Sequence, residues 1–398
     1  MIFNTWTFAV FALLVWTLYW AVVPERFRPQ ALIVSGIVFY LFSIPAYLAV
    51  IATLGAITLY IGKVMLATRD DGRQRALLIA GVCLIAATLG FFKYTHLLAA
   101  TVNQIASHNI VPIPSIVVPL AISFFTFEFV HVLVDVRNGK IARLDLVEFT
   151  TFTFFFPTLV AGPIKRYQSF VAQLHAIAPP PRAAVLRNAY RITIGVFKKV
   201  VVADSMSVLA QPIVTPGAPY HRLDYWVAFF AYAAKIYFDF SGYSDIAIGV
   251  AGMLGIRIPE NFDRPYRSTN IQVFWRRWHI SLSTWIRDYI FIPLGGSRRP
   301  PAIVILNLLL AMALAGLWHG AAWTFVLWGL WHGMGLAVQR IWAKSVVPRV
   351  PVLQRPSRMI AAISVGMTFL FVGLGWVLFA ATSLGNAGLV YRSLFAAS

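Results

Sequence analysis

The stretch Ala302-Ile-Val-Ile-Leu-Asn-Leu-Leu-Leu-Ala-Met-Ala-Leu-Ala-Gly-Leu317 decides the fold class of this chain. It carries no charged residue, and it continues without interruption into Trp318 and His319. An apolar helix of this length covers the hydrocarbon core of a bilayer, which is about 30 Å thick. We therefore predict a membrane-spanning helix that ends next to a histidine.

Comparable apolar stretches recur along the 398 residues, of which 59% are hydrophobic and 12% are charged. A water-soluble domain cannot distribute this balance between a core and a polar surface. The sequence therefore predicts an all-α polytopic membrane protein, with residues 1–398 forming a single integral membrane domain. About ten transmembrane helices are expected, at residues 2–23, 31–42, 45–67, 76–92, 115–134, 192–210, 225–254, 302–317, 321–341 and 360–381.

Two further segments do not fit the pattern of a spanning helix. Residues 149–162 are apolar over about 14 residues and contain Pro157, which favours a re-entrant hairpin. In the second segment, apolar side chains recur at every third or fourth position, as in an interfacial amphipathic helix. The apolar face of that predicted helix holds Trp275, Trp278, Leu282, Trp285 and Tyr289.

The charge of the chain is strongly positive, with 33 Lys and Arg residues against 14 Asp and Glu residues and a net charge of +19. In a membrane protein such cations gather in cytoplasmic loops, so the surplus favours multi-pass insertion and not the binding of nucleic acid. Cys83 is the only cysteine, which excludes an internal disulfide and a cysteine-rich metal site.

Polar side chains inside apolar segments are costly, so they indicate where a cavity or a reaction is placed. The first such cluster runs from Lys235 to Asp245 and contains Asp239 and Tyr243. It either contacts a substrate or packs helices together, with Asp239 paired to Lys235 one helical turn away. Both interpretations remain open.

The second cluster surrounds His279, within Trp275-Arg-Arg-Trp-His-Ile-Ser-Leu-Ser283. Its tryptophans suit the headgroup layer of a membrane, and its arginines suit phosphate groups. An isolated histidine is more often a hydrogen-bonded packing residue than a reactive one. The dense aromatic and basic surroundings make a functional role an equal candidate here.

The third cluster is Gly316-Leu-Trp-His-Gly320, which returns as Gly329-Leu-Trp-His-Gly333. A neutral imidazole at His319 is suited to take a proton from a hydroxyl group, because its ordinary pKa lies near 6.5 and burial favours the neutral form. His332, in the second copy, is an equal candidate on spacing alone. No close set of ligands indicates a metal site.

Four motifs of the chain resemble those of the membrane-bound O-acyltransferase (MBOAT) family. They are Tyr237-Phe-Asp-Phe-Ser-Gly-Tyr-Ser-Asp245, Pro259-Glu-Asn-Phe-Asp-Arg-Pro-Tyr266, Phe274-Trp-Arg-Arg-Trp-His-Ile-Ser-Leu-Ser-Thr-Trp285 and Gly316-Leu-Trp-His-Gly320. Further motifs, such as Arg287-Asp-Tyr-Ile-Phe-Ile-Pro-Leu-Gly-Gly296, are more similar to the alginate O-acetylation members than to the D-alanyl transfer members. The resemblance implies an α-helical membrane fold around a central funnel or tunnel, through which an acyl group passes from a cytoplasmic thioester to a hydroxyl at the outer face.

By position, the resemblance implies that His319 is the general base and that His279 is a second functional residue. It also implies a tunnel for substrate and donor, for which the candidate residues are Asp239, Tyr243, Asn261, Trp275, Arg276, Trp278, Ser283 and Trp318. Basic side chains on the donor side would meet the donor's phosphates or an acidic carrier, although the cytoplasmic excess of cations alone also explains them. These are Arg276, Arg277, Lys165 and Arg166.

The resemblance implies no bound cofactor, since acetyl-coenzyme A or another acyl thioester is a donor substrate. The expected location is the bacterial inner membrane, and the expected partners besides the lipid bilayer are a polysaccharide acceptor and a periplasmic acetyltransferase or esterase-like protein. Transfer of D-alanyl or longer acyl groups to a cell-wall polymer or a lipid remains open. A transporter is the alternative outside the enzymes.

Overall fold

The computed structural model describes residues 3, 5–42, 45–160, 162–217, 220–354 and 357–395. In these ranges the chain is helical and contains no β-strand, and its one strand-like pairing is a bridge between Phe262 and Trp278. The chain forms two compact units, which we call the first and the second unit. They are Met1–Val196 with Tyr243–Pro259, and Phe197–Gly242 with Glu260–Ser398.

The described part of the first unit contains eight complete α-helices and the end of a longer one that begins in the second unit. The complete helices are α1 Trp6–Ala21, α2 Arg28–Leu41, α3 Leu48–Ala67, α4 Asp71–Ala106, α5 Ile122–Arg137, α6 Leu146–Thr153, α7 Tyr167–Leu174 and α8 Arg182–Val196. Short 3-10 helices lie at Glu25–Phe27, Pro45–Tyr47 and Phe156–Thr158.

An aromatic core holds the first unit together. Phe39 of α2 and Phe156 are fully buried, with ring centroids 6.1 Å apart. Gly36 allows α2 to approach closely, because a Cβ at this position would lie 1.7 Å from the carbonyl oxygen of Phe154. The segment 149–162 contributes to this core as the end of α6 and a 3-10 turn, without a continuous helix in its described residues. Its re-entry into the membrane remains a prediction.

The second unit begins with a π-helix at Phe197–Ala203, which leads from α8 into α9, and a second π-helix follows α13 at Arg287–Phe291. Its 3-10 helices are Pro265–Arg267, Gly296–Arg298 and Val347–Arg349. The α-helices are α9 Asp204–Leu209, α10 Gln211–Val214, α11 Arg222–Met253, α12 Ile271–Arg277, α13 Ile280–Ile286, α14 Pro301–His319, α15 Trp323–Ser345, α16 Pro351–Gln354, α17 Arg358–Ala380 and α18 Leu384–Phe395. Of α11, only the part up to Gly242 belongs to the second unit.

The two Gly-Leu-Trp-His-Gly motifs lie where α14 and α15 pack against each other. A Cβ at Gly316 would lie 2.1 Å from the carbonyl oxygen of Phe325, and a Cβ at Gly329 would lie 2.1 Å from that of Met312. Only glycine permits this approach of the two backbones. The glycines of the repeated motif therefore set the distance between the helices that carry His319 and His332.

The predicted spans all overlap helices, although the ends differ. Among the residues that the structure describes, four helical segments are long and apolar enough to cross a membrane, namely Pro45–Ala67, Asp71–Ala106, Pro301–His319 and Arg358–Ala380. The span predicted at 192–210 is divided among α8, the π-helix and α9, and its helix already begins at Arg182. Ten crossings thus remain a prediction.

The prediction of one continuous amphipathic helix through residues 275–289 is wrong. The chain leaves the helix at Trp278, whose backbone is extended, and starts α13 only after His279. The aromatic face is also not a surface face, since Trp275, Trp278 and Trp285 are buried. The reason is the bridge between Trp278 and Phe262, a contact across sixteen residues of sequence that helical periodicity does not report.

Candidate active site

The backbone at His279 has a left-handed conformation, with φ at 43°. Such a conformation is rare for a residue with a side chain and persists only when the surroundings enforce it. Here the backbone N–H of Ile280 donates to the carbonyl oxygen of Asn261 at 3.0 Å, and the N–H of Asp263 donates to that of Arg277 at 3.0 Å. The loop before α12 therefore fixes the break between α12 and α13, and His279 with it.

Asn261 has a supporting position in this arrangement. Its side chain is buried, and its Oδ1 atom accepts the hydroxyl of Ser281 at 2.6 Å and the backbone N–H of Ser281 at 3.3 Å. These bonds satisfy a free N–H at the start of α13, as a capping residue does. Asn261 thus positions the turn of His279.

His279 and His319 come together in the second unit, with ring centroids 6.2 Å apart. His279 is 1% exposed, and neither of its ring nitrogens has a hydrogen-bond partner among the described residues. The rings of Phe240 and Trp318 lie 4.6 and 5.9 Å from it. Burial, and after it the neighbouring His319 imidazole, lowers the pKa of His279 well below its ordinary range, so the ring is neutral.

His319 is the last residue of α14 and is partly exposed. The chain turns away at Gly320, where a Cβ would collide with the ring of Phe325 at 2.1 Å. Trp328 and Phe379 form an aromatic wall around the imidazole, with ring centroids 5.2 and 5.1 Å from it. An accessible imidazole in an apolar wall, beside the imidazole of His279, is suited to general base chemistry.

A cavity of about 570 Å³ lies between α12, α13, α14 and α15. Three predicted tunnel residues line it, namely Trp275, Arg276 and Ser283. Four further polar residues line it that were not predicted as tunnel residues, namely Gln272, Thr284, Arg287 and Ser297. On α14 the cavity follows Leu308, Ala311, Met312 and Ala315. Because Ala315 lies one helical turn before His319 on the same face, the cavity runs along α14 toward the histidine.

The other predicted tunnel residues do not line this cavity. Asp239 forms an ion pair with Lys199 at 3.0 Å, instead of the expected pair with Lys235. Tyr243 belongs to the first unit, where its ring stacks on Phe3 with centroids 4.4 Å apart.

The two remaining tryptophans belong to the aromatic surroundings of the histidines. Trp278 packs on Trp376 at 4.8 Å, and Trp318 packs on both His279 and His319. Within the described ranges, no group of three or more His, Cys, Asp or Glu side chains could hold a metal ion.

Comparisons with known proteins agree with these observations. The family model for MBOAT, the membrane-bound O-acyltransferase family, matches residues 3–383. "Probable alginate O-acetylase AlgI" of Pseudomonas aeruginosa is 38% identical over 402 residues, covering 99% of this chain and 75% of that protein. "Peptidoglycan O-acetyltransferase" of Helicobacter pylori is 31% identical over 392 residues, covering 91% and 73%. "Teichoic acid D-alanyltransferase" of Streptococcus thermophilus is 32% identical over 245 residues, covering 56% and 57%.

The chain belongs to the membrane-bound O-acyltransferase family. It is an acyltransferase that uses an acyl donor. Membership in this family excludes the alternative interpretation as a transporter. The sequence-based recognition of the family is confirmed.

Proposed function

We propose that this protein transfers an acetyl group from a cytoplasmic thioester, acetyl-coenzyme A, to a hydroxyl of an extracytoplasmic polysaccharide or to a periplasmic relay protein. The observation that carries the proposal is the pair His279 and His319, whose ring centroids lie 6.2 Å apart. The cavity along α14 reaches Ala315, one helical turn before His319. Acyl transfer to a hydroxyl needs a base at the acceptor and a hydrogen-bond donor at the thioester carbonyl. The two imidazoles supply one of each.

In the proposed reaction His319 takes the proton of the acceptor hydroxyl. At the same time, the hydroxyl oxygen of the acceptor attacks the thioester carbonyl carbon. The N–H of the neutral His279 hydrogen-bonds to the carbonyl oxygen, which becomes negative in the tetrahedral intermediate. The C–S bond then breaks, and the leaving thiolate takes the proton from the His319 imidazolium. An ester and a free thiol are the products, and the protein is unchanged.

The cavity is the proposed entry route of the donor. Arg276 and Arg287 are exposed and line it, and they would bind phosphate groups of the donor by charge-assisted hydrogen bonds. The buried aromatic walls keep bulk water from the thioester. Lys165, by contrast, is buried in the first unit in an ion pair with Glu128, which argues against a role in phosphate binding.

The proposed acceptor is a polysaccharide hydroxyl. The alginate and peptidoglycan O-acetylating relatives support a polysaccharide hydroxyl and an acetyl group. The D-alanyltransferase relative matches only about half of the chain, so D-alanyl transfer is the second candidate. We also propose an inner-membrane location with about ten crossings, and that both units act as one domain, because the family match extends through both of them.

The test uses purified protein in lipid with acetyl-labelled coenzyme A and candidate polysaccharides. Wild-type protein should consume the thioester and label the polysaccharide or an added periplasmic partner, whereas His319→Ala should do neither. His96→Ala makes the same chemical change at an exposed position of α4 and should leave transfer unchanged. Wild-type transfer by His319→Ala would contradict the proposal, and use of a carrier-protein thioester alone would favour D-alanyl transfer.

A further inference from the structure

The histidine of the second Gly-Leu-Trp-His-Gly motif has no role in the reaction proposed above. His332 lies in α15 and is fully buried. Neither of its ring nitrogens has a hydrogen-bond partner within the described ranges. A buried polar group without a partner destabilises a folded protein, so this imidazole requires an explanation.

An aromatic cage encloses His332. Its members have ring centroids between 5.0 and 6.3 Å from the imidazole, and they are Phe274, Trp275, Trp328, Phe371 and Trp376. Gly375 closes the cage at Nε2, because a Cβ there would lie 2.9 Å from this atom. The indole N–H groups of Trp275 and Trp328 are also buried without a partner in the described part of the chain. The cage thus contains one unused acceptor, a ring nitrogen of His332, and three unused donors, namely the two indole N–H groups and the imidazole N–H.

Trp328 connects this cage with the reacting histidine. Its ring is fully buried and lies 5.0 Å from His332 on one side and 5.2 Å from His319 on the other. The orientation of this indole therefore shapes the wall against which the base rests. Trp275 belongs to the same cage and also lines the cavity along α14. A donor that fills the cavity would therefore contact a side chain of the cage.

We propose that His332 is a positioning residue for acyl transfer, which accepts the indole N–H of Trp328 when the acyl donor fills the cavity. This bond fixes Trp328 behind His319 for the proton transfer. An imidazole with one ring N–H keeps one acceptor nitrogen, and both ring nitrogens of His332 are without a partner in the described residues. The inference rests on the proposed function, because it assigns a role within the same acyl transfer.

The test compares His332→Phe with His332→Gln. Phenylalanine fills the aromatic cage but accepts no hydrogen bond, whereas glutamine keeps an acceptor oxygen. We expect His332→Phe to lower kcat about tenfold, the effect of one lost hydrogen bond, with an unchanged KM for the thioester and an unfolding temperature that is not lowered. His332→Gln should recover most of the rate.

A packing role predicts the reverse order, with wild-type turnover in His332→Phe and the lowest turnover in His332→Gln, and that order would overturn the proposal. Trp328→Phe provides a second test, because His332→Phe should cause no further loss in a chain that already lacks the indole N–H. Additive losses in the double variant would also overturn it. Wild-type protein without acyl transfer from any thioester would instead overturn the proposed function, and this proposal with it.

Discussion

The two units differ in the hydrogen bonding of their buried histidines. In the first unit His131 of α5 is fully buried, and both ring nitrogens are bonded, since Nδ1–H donates to the carbonyl oxygen of Phe127 at 3.2 Å and Nε2 accepts the backbone N–H of Tyr167 at 3.2 Å. In the second unit His279 and His332 are as deeply buried, and in the described residues their ring nitrogens have no partner. Burial alone therefore does not distinguish these histidines, whereas the hydrogen bonding of their ring nitrogens does.

The same contrast applies to charge. The first unit buries Glu128 and Lys165 as a direct ion pair, with the ammonium group 4.3 Å from the ring centroid of Phe152. The basic side chains at the cavity of the second unit, Arg276 and Arg287, are exposed. We infer that buried polar groups of the first unit serve stability and that those around His319 serve catalysis.

The largest effect is expected from breaking the buried ion pair. Glu128→Gln leaves the Lys165 ammonium buried without its counter-ion, and it should lower the free energy of unfolding by about 3–5 kcal/mol. Glu25→Gln is the matched control, because its pair with Arg28 has a carboxylate side chain that is 77% exposed. Thermal unfolding in detergent measures both. Equal midpoints for the two variants would show that the ion pair has no structural role.

Next in size is the loss of the second imidazole. His279→Ala removes the proposed hydrogen bond to the thioester carbonyl and should lower kcat about a hundredfold or more. The unfolding temperature should change little, because the ring has no hydrogen bonds to lose within the described structure. Steady-state kinetics with labelled thioester and an unfolding curve test this together. Unchanged kcat would remove His279 from the mechanism.

A smaller effect concerns pH. The pKa of His279 is lowered in the folded protein, so between that value and about 6.5 the unfolded chain binds a proton that the folded chain does not. The free energy of unfolding should therefore fall as the pH drops below 6.5, with a contribution from His279 of about 1.4 kcal/mol per pH unit at most. His279→Asn should flatten this dependence. Identical pH profiles of stability for the two proteins would contradict a neutral, buried His279.

The smallest effect is expected at the mouth of the cavity. Arg276→Ala removes one exposed contact to the donor's phosphates and should raise KM for the thioester several-fold, while kcat stays the same. Arg298→Ala, an exposed arginine outside the cavity lining, is the control and should leave KM unchanged. Equal KM values for both variants would place donor binding elsewhere.

The helices and the two candidate histidines, His279 and His319, could be predicted from the sequence. The apolar stretch 302–317 matches α14, and its motif carries the resemblance that puts His319 at the helix end. Apolar stretches and short motifs can be read from the sequence because their residues are neighbours along the chain. The polar residues Gln272, Thr284, Arg287 and Ser297 were missed, since only the packing of α12 to α15 brings them to one cavity.

The break at His279 could not be predicted for a physical reason. No glycine or proline marks it, and the sequence repeats apolar residues through it at helical spacing. The turn is imposed from outside, by backbone bonds to Asn261 and Asp263 and by the bridge from Phe262 to Trp278. Tyr243 and Asp239 show the same limit, since their partners Phe3 and Lys199 are distant in sequence.

One paired measurement tests most directly whether His319 is the base. Acyl transfer and the unfolding temperature are measured side by side for His319→Ala and His131→Phe. We expect His319→Ala to lose acyl transfer at an unchanged unfolding temperature. His131→Phe should unfold at a lower temperature, because its free energy of unfolding falls by about 1–3 kcal/mol. The folded fraction of His131→Phe should still transfer the acyl group at the wild-type rate. Wild-type transfer by a folded His319→Ala protein would contradict the mechanism.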